Sequence, residues 1–341
     1  MTEAPHASLS EEVIREALSV LRGGARFLVT CHRRPDADAL GSAIGMTVLC
    51  QSLGKDITLW IPEPLAPNLQ FLATQFVAEG GVIERTLADG ERYDATFVMD
   101  TAAHTLLPPG LPSDDVTGPL VVVDHHAIHD DVGDVVVRDI EACSTGEVVM
   151  DLAEALGMRP VPRGAAAPLY AAIVADTGGF RYSTTRSKTL RLGAELLDQG
   201  VDAWHTAYEL FEGWTPERMK LLGVVLDTLE LAFDGRCAIL RITRKMLDDC
   251  QATDDMVEGM VNYGRMLRGV EVAILLWEFP NSEGGLDTKI SLRSSGDANV
   301  GAIAQKLQGG GHRAAAGGQV SKSLAETETL ARAAILSELD G

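Results

Sequence analysis

Hydrophobic positions along the first half of the chain alternate between two periods. Short apolar runs at Arg26–Cys31, Ile57–Ile61, Ala95–Met99 and Leu120–Val123 have the length and β-branched content of buried strands. Between them helical spacing returns. Leu40, Ala43, Ile44, Thr47 and Val48 share one face, and Gly54 supplies a stop. Ser144-Thr145-Gly146-Glu147 is a capping-box pattern that opens a helix reaching Leu156. A further apolar helix runs over Leu169–Ala175 and ends at Asp176. Such alternation predicts a parallel sheet with helices on both faces, and ligands of such sheets gather at the carboxyl ends of the strands.

From Ser187 to Leu231 the pattern is helical throughout, with breaks near Gly200 and Gly213. A second unit follows. Strand Cys237–Ile242 precedes a helix around Asp255–Leu267, then strands Val270–Phe279 and Leu286–Arg293, joined by a hairpin signal over Asn281–Gly285. A short helix Val300–Leu307, a glycine-rich turn, strand Ala315–Val320 and a terminal helix from Leu324 complete it. The expected fold class is α/β: an N-terminal parallel-sheet α/β domain over 1–186, a helical connector over 187–231 and a smaller α+β domain over 232–341.

Composition narrows the function classes. Apolar residues at 46% and charged residues at 23% of 341 describe an ordinary globular chain with room for two domains. Lys+Arg of 29 against Asp+Glu of 49 gives a net charge of −20, which argues against a sequence-blind binder of long duplex DNA. A short anionic substrate held at one local basic site stays compatible with that charge. No apolar run approaches the ~18 residues of a membrane span, and the N-terminus lacks the basic-then-apolar layout of a signal peptide. Cys31, Cys50, Cys143, Cys237 and Cys250 are scattered, odd in number and without a CxxC pair, so they read as reduced thiols of a cytoplasmic protein.

Acids and histidines recur where apolar elements end. Cys31 runs into His32, Asp36 and Asp38, with Pro35 holding an extended turn before Leu40. Met99 is followed by Asp100, Val123 by Asp124-His125-His126, and the helix Leu169–Ala175 by Asp176. A lone strand-end Asp is ordinarily a helix cap or turn residue. Recurrence at four element ends is hard to reconcile with independent capping. Carboxylates and imidazoles without thiolates suit hard or borderline ions such as Mn²⁺ or Mg²⁺. One shared acid can bridge two such ions at ~3.5–4 Å, the arrangement that supports in-line displacement at phosphorus. His6, His104, His129 and His205 lack this context.

In the second unit Gly309-Gly310-Gly311-His312-Arg313 precedes an Ala- and Gly-rich strand. Consecutive glycines let backbone N–H groups approach an anion, and His312 can donate to a phosphate oxygen. Over 286–313, Lys289, Arg293, Lys306 and Arg313 outweigh Asp287 and Asp297, leaving this stretch basic in an acidic chain. A plain hairpin bend is the bland alternative.

With these motifs in family order, the chain resembles the DHH-family (RecJ-like) phosphoesterases that carry the type-1 DHH-associated C-terminal domain, in particular the oligoribonuclease/pAp phosphatase (NrnA-type) group. The resemblance runs from about Leu18 to Val320. It implies metal ligation by His32, Asp36, Asp38, Asp100, His125 and Asp176, with Asp100 bridging two divalent ions, Mn²⁺ before Mg²⁺. It implies that His126 faces the scissile phosphate, that Asp124 orients the imidazoles, and that Arg293, Gly309, Gly310, Gly311 and His312 bind substrate. The implied reaction is hydrolysis of short single-stranded oligoribonucleotides to mononucleotides and of pAp to AMP, by a cytoplasmic enzyme that could work as a dimer. Gln308 stands where the family often has a first glycine. Linear or cyclic dinucleotide hydrolysis, pyrophosphate or polyphosphate hydrolysis, and nucleotide binding without catalysis are the competing readings.

Overall fold

The structure, a computed structural model, describes residues 10–101, 103–126, 130–281, 284–311 and 313–340. The chain divides into two compact units, Met1–Gly213 and Trp214–Gly341.

The first unit contains α1 (Glu11–Gly23), β1 (Arg26–Cys31), α2 (Ala37–Ser52), β2 (Asp56–Trp60), α3 (Gln70–Ala78), β3 (Ile83–Glu84), β4 (Ala95–Met99), α4 (Asp114–Thr117), β5 (Leu120–Asp124), β6 (Val135–Arg138), α5 (Thr145–Ala155), α6 (Arg163–Asp176), α7 (Ser187–Asp198) and α8 (Ala203–Phe211). Its six strands pair in parallel in the order β3-β2-β1-β4-β5-β6. Strand order therefore reverses between β1 and β4. The crevice at such a reversal, outside the carboxyl ends of the strands, is where α/β sheets bind ligands. The central strands are buried on both faces, which is why Phe27-Leu28-Val29, Phe97-Val98-Met99 and Val121-Val122-Val123 read as unbroken apolar runs.

Two helices beneath that crevice touch with unusually little between them. A Cβ at Gly45 would lie 2.6 Å from Leu169 Cδ2, and one at Gly41 would fall onto the Pro168 carbonyl oxygen. These glycines let α2 and α6 pack backbone to backbone. Asp38 lies in the first turn of α2 and Asp176 is the last residue of α6.

The second unit contains α9 (Pro216–Leu226), β7 (Glu230–Ala232), β8 (Cys237–Ile242), α10 (Arg244–Cys250), α11 (Val261–Arg265), β9 (Val272–Pro280), β10 (Leu286–Ser294), α12 (Val300–Lys306), β11 (Gly310–Gly311), β12 (Ala315–Val320) and α13 (Leu324–Leu339). Its sheet runs β11-β12-β10-β9-β8-β7, antiparallel except for the β8–β9 pair. Apolar residues fill both of its faces, so each carries its own core.

The helix expected around Asp255–Leu267 is instead a 3₁₀ turn, Asp254–Val257, and the short α11. Gly259 between them takes φ 80°, which a continuous helix does not allow. Of the three helices in the stretch read as a connector, α7 and α8 belong to the first unit and α9 to the second. That stretch then closes in strand β7.

Candidate functional site

His32 follows β1, and its backbone N–H donates to the Met99 carbonyl of β4. Asp36 caps α2, its Oδ1 accepting from the Ala39 N–H at 2.9 Å. Asp100 follows β4 with φ 57°, a left-handed conformation that Asp tolerates better than most residues. Its N–H donates to the Val123 carbonyl at 2.8 Å, which fixes it beside β5. Asp124 is the last residue of β5, with His125 and His126 immediately beyond.

These side chains converge. His32 Nε2 lies 3.4 Å from Asp100 Oδ2 and 3.9 Å from Asp36 Oδ1. His125 Nε2 lies 3.2 Å from Asp176 Oδ2 and 3.7 Å from both Asp38 Oδ2 and Asp100 Oδ1. Two groupings with metal-ligating geometry result, His32/Asp36/Asp100 and Asp38/His125/Asp176; a third joins Asp100 to His125 and His126. Asp100 reaches into both halves of the cluster. In the third grouping His126 presents Nδ1, 3.6 Å from Asp100 Oδ1, yet the same nitrogen sits 2.7 Å from Asp124 Oδ1. A carboxylate only accepts, so Nδ1 carries the proton and is committed to Asp124.

The electrostatics call for positive charge. Burial pushes the Asp38 carboxyl well above its usual range, and neighbouring Asp100 and Asp176 push it further. Burial alone would lower His32, but its hydrogen bond to Asp100 and the nearby Asp36 lift it to about 10. For His125 burial likewise opposes the charged form, and Asp176, Asp38 and Asp100 outweigh it. Asp100 is held well below the carboxylate range because His32, His125 and His126 overcome its burial. Protons on the imidazoles thus supply the charge that the acids require.

The donor set fits divalent ions. Asp36, Asp38, Asp100 and Asp176 carry four negative charges when ionised, and two divalent cations would bring four positive ones. The nearby thiol, Cys31, is buried, and that burial with Asp36 and Asp100 holds it protonated. The candidate ligand atoms are therefore oxygen and imidazole nitrogen, as hard and borderline ions prefer.

The spacing of acids and histidines did not reveal the groups that hold them. Thr145 Oγ1 donates to Asp100 Oδ1 at 2.8 Å, Ser42 Oγ to Asp38 Oδ1 at 3.0 Å, and the Thr145 and Gly146 N–H groups to the two oxygens of Asp38 at 2.7 and 3.0 Å. The Ser144-to-Glu147 capping pattern was the only sequence signal at that place.

In the second unit Arg293 lies on β10 opposite Ala315 of β12, and Gly311 pairs with Ala316 on the far side of that strand. Two strand spacings put them about 10 Å apart at one end of the sheet. His312 lies outside the described residues. Gln308 takes φ 62°, a left-handed position where a glycine would carry no strain. The other basic residues of this stretch have partners of their own. Lys306 donates to Ser337, Arg313 pairs with Asp297, and Lys289 sits over the Phe279 ring.

Residues 26–173 match the DHH family, N-terminal domain, and residues 236–339 match the DHHA1 domain. A bifunctional oligoribonuclease and PAP phosphatase NrnA from Thermus thermophilus is 32% identical over 306 residues, covering 89% of this chain and 86% of that protein. In fold, the chain is similar to an exopolyphosphatase-related protein from Bacteroides fragilis, with a TM-score of 0.83 at 22% identity over 97% of each chain. It is also similar to the Mn²⁺ complex of RecJ from Thermus thermophilus, with a TM-score of 0.52 at 14% identity over 99% of this chain and 56% of that one. The chain belongs to the DHH family of phosphoesterases, with a DHHA1 domain as its second unit. It is a hydrolase, and its candidate metal centre is the His/Asp cluster at the β1–β4 reversal. Among the described residues no helix is long and apolar enough to cross a membrane.

Proposed function

We propose that the chain hydrolyses short single-stranded oligoribonucleotides to mononucleotides and removes the 3′-phosphate of pAp. The observation that carries the chemistry is the convergence of three carboxylates and two imidazoles around a shared fourth carboxylate, Asp100. The likeness to the Thermus oligoribonuclease and PAP phosphatase, over most of both chains, supports the substrate class.

His32, Asp36 and Asp100 would hold one divalent ion, and Asp38, Asp100, His125 and Asp176 the other; Mn²⁺ suits the mixed oxygen and nitrogen set, and the RecJ neighbour was solved with it. When bound, such ions supply Lewis-acid stabilisation of phosphoryl oxygens and an activated nucleophile. The chain's own residues do the rest. Burial opposes a charged His126, but the Asp124 carboxylate on Nδ1–H and nearby Asp100 raise its pKa. As an imidazolium it would donate from Nε2 to a phosphate oxygen or the leaving group. Arg293 supplies a guanidinium for a substrate phosphate, and Gly310 and Gly311 let an anion approach the backbone closely. The Gly309 N–H is already given to the Ala304 carbonyl at 2.8 Å, so Gly309 serves the turn itself. Five buried free cysteines accord with a reducing, cytoplasmic setting.

Loading the centre should release protons. His32 and His125 hold theirs at neutral pH in the metal-free protein and must lose them to ligate. Mn²⁺ titrations in buffers of different ionisation enthalpy are expected to report at least about two protons released near pH 7.5, more where Asp38 is also protonated, and weaker binding as pH falls. Binding without proton release would mean that the imidazoles do not ligate.

The glycine turn yields a separable pair of variants. A Cβ at Gly309 would strike the Gly317 carbonyl oxygen, whereas one at Gly310 meets nothing within 4 Å. Packing therefore explains the first glycine and leaves the second for close approach of a ligand. Gly309→Ala is expected to lower thermal stability. Gly310→Ala should keep the melting temperature and raise KM for an RNA dinucleotide roughly tenfold, the loss of about 1.4 kcal/mol of binding. An unchanged KM in Gly310→Ala would make the turn structural.

The substrate reading is tested by Mn²⁺-dependent turnover of pAp, a labelled RNA dinucleotide, cyclic dinucleotides and pyrophosphate in parallel. Turnover concentrated on the first two supports it. Turnover confined to cyclic dinucleotides or pyrophosphate overturns it.

A further inference from the structure

We propose that the Ser144–Glu147 turn is a positioning device for the metal centre, in which the Thr145 hydroxyl orients Asp100 and the Thr145 and Gly146 N–H groups orient Asp38. The inference rests on the reading of the cluster as a metal centre and concerns residues outside the ligand set.

Thr145 and Gly146 open α5, with Ser144 as its cap: Ser144 Oγ accepts from the Glu147 N–H at 3.2 Å. A cap alone would leave the remaining donors of the first turn for water. Here two of them converge on one fully buried carboxylate, Asp38, at 2.7 and 3.0 Å, across more than a hundred residues of sequence. Both Asp38 oxygens are thereby held, and Ser42 adds a third donor from within α2.

The same residue reaches a second acid through its side chain. Thr145 Oγ1 donates to Asp100 Oδ1, the oxygen on the His125 side, while Oδ2 faces His32. The carboxylate is thus held with one oxygen toward each half of the cluster. Thr145 is fully buried, and its β-branched side chain is stiff about χ1, so the hydroxyl is oriented before any ion arrives.

The turn is itself clamped. A Cβ at Gly146 would lie 2.6 Å from the Ala172 Cβ of α6, the helix that ends in Asp176. The buried Glu147 carboxylate accepts from Thr189 at 3.1 Å and pairs with Lys188 at 3.2 Å, both on α7. One four-residue turn therefore joins Asp38, Asp100, the helix bearing Asp176 and a helix behind them.

Thr145→Val tests this, because it keeps the backbone donors and the branched shape and removes only the hydroxyl. Thr145→Ser restores the hydroxyl, and Thr145→Ala repeats the deletion with a smaller side chain. Mn²⁺ affinity is read from the free-ion EPR signal without substrate, and melting temperature is read in chelator. The expected result is a 10–100-fold weaker affinity for Thr145→Val and Thr145→Ala. Thr145→Ser should stay near wild type. Equal affinity in the wild type and both deletions, or an equal loss in Thr145→Ser, overturns the assignment of Thr145. A wild-type chain that binds no Mn²⁺ overturns instead the reading of the centre on which it rests.

Discussion

Asp100→Asn is expected to lower kcat by at least roughly 10²–10³-fold, the cost of losing a single oxyanion-hole donor, since here an anchor shared by two ions is lost. Asn is the informative replacement. It has nearly the shape of Asp and tolerates the left-handed backbone at φ 57°, which Ala does not. What disappears is the negative charge that faces His32, His125 and His126 at 3.4–3.7 Å. Metal content should fall with activity, and the melting temperature in chelator should hold. Near-wild-type turnover with a full complement of metal would show that Asp100 is not the shared ligand.

Gly41→Val is expected to have an effect of similar size by a different route. No new contact is made with substrate or ion. A side chain at Gly41 has nowhere to go, because the Pro168 carbonyl and Ala172 of α6 already occupy its space. α2 must move away from α6, carrying Asp38 away from Asp176 and from His125, which lies between them. Overpacking of this kind costs about 3 kcal/mol, equivalent to a melting temperature lower by roughly 5–10 °C. The activity loss should exceed what that destabilisation explains, since the fraction folded at 25 °C stays high while the ligand set is spread. Gly223→Ala in α9 serves as the control. That glycine is exposed, its added Cβ meets nothing within 4 Å, and the change should be neutral or stabilising. A Gly41→Val protein with wild-type kcat would show that the α2–α6 contact does not set the site.

The ligand candidates were legible in the sequence because the physics of the fold puts them at visible places. A parallel sheet buried on both faces writes its strands as apolar runs, and the polar residue that ends each run stands at the crevice. His32, Asp100 and Asp124-His125-His126 all follow that rule. Asp36 and Asp38 were legible in the turn that follows the first of those runs, and Asp176 for a related reason, as the acid that ends an apolar helix. The edge strands β3 and β6 were not, since the first is two residues long and the second is only partly buried. The broken helix at 254–265 was misread because its apolar spacing is helical while Gly259 is not. Thr145 and Ser42 could not be recognised as partners of Asp100 and Asp38 from spacing. Their contacts depend on tertiary distances that leave no local pattern, and a capping box looks the same whether its spare donors meet water or a carboxylate.

The central claim is that the strand-end acids and imidazoles form one two-ion centre. Diffraction from Mn²⁺-soaked crystals, collected at the manganese absorption edge, tests it most directly. The account predicts two anomalous peaks, one bonded to His32, Asp36 and Asp100 and the other to Asp38, Asp100, His125 and Asp176, with His126 outside both coordination spheres. A single peak, peaks away from Asp100, or a peak bonded to His126 would contradict it.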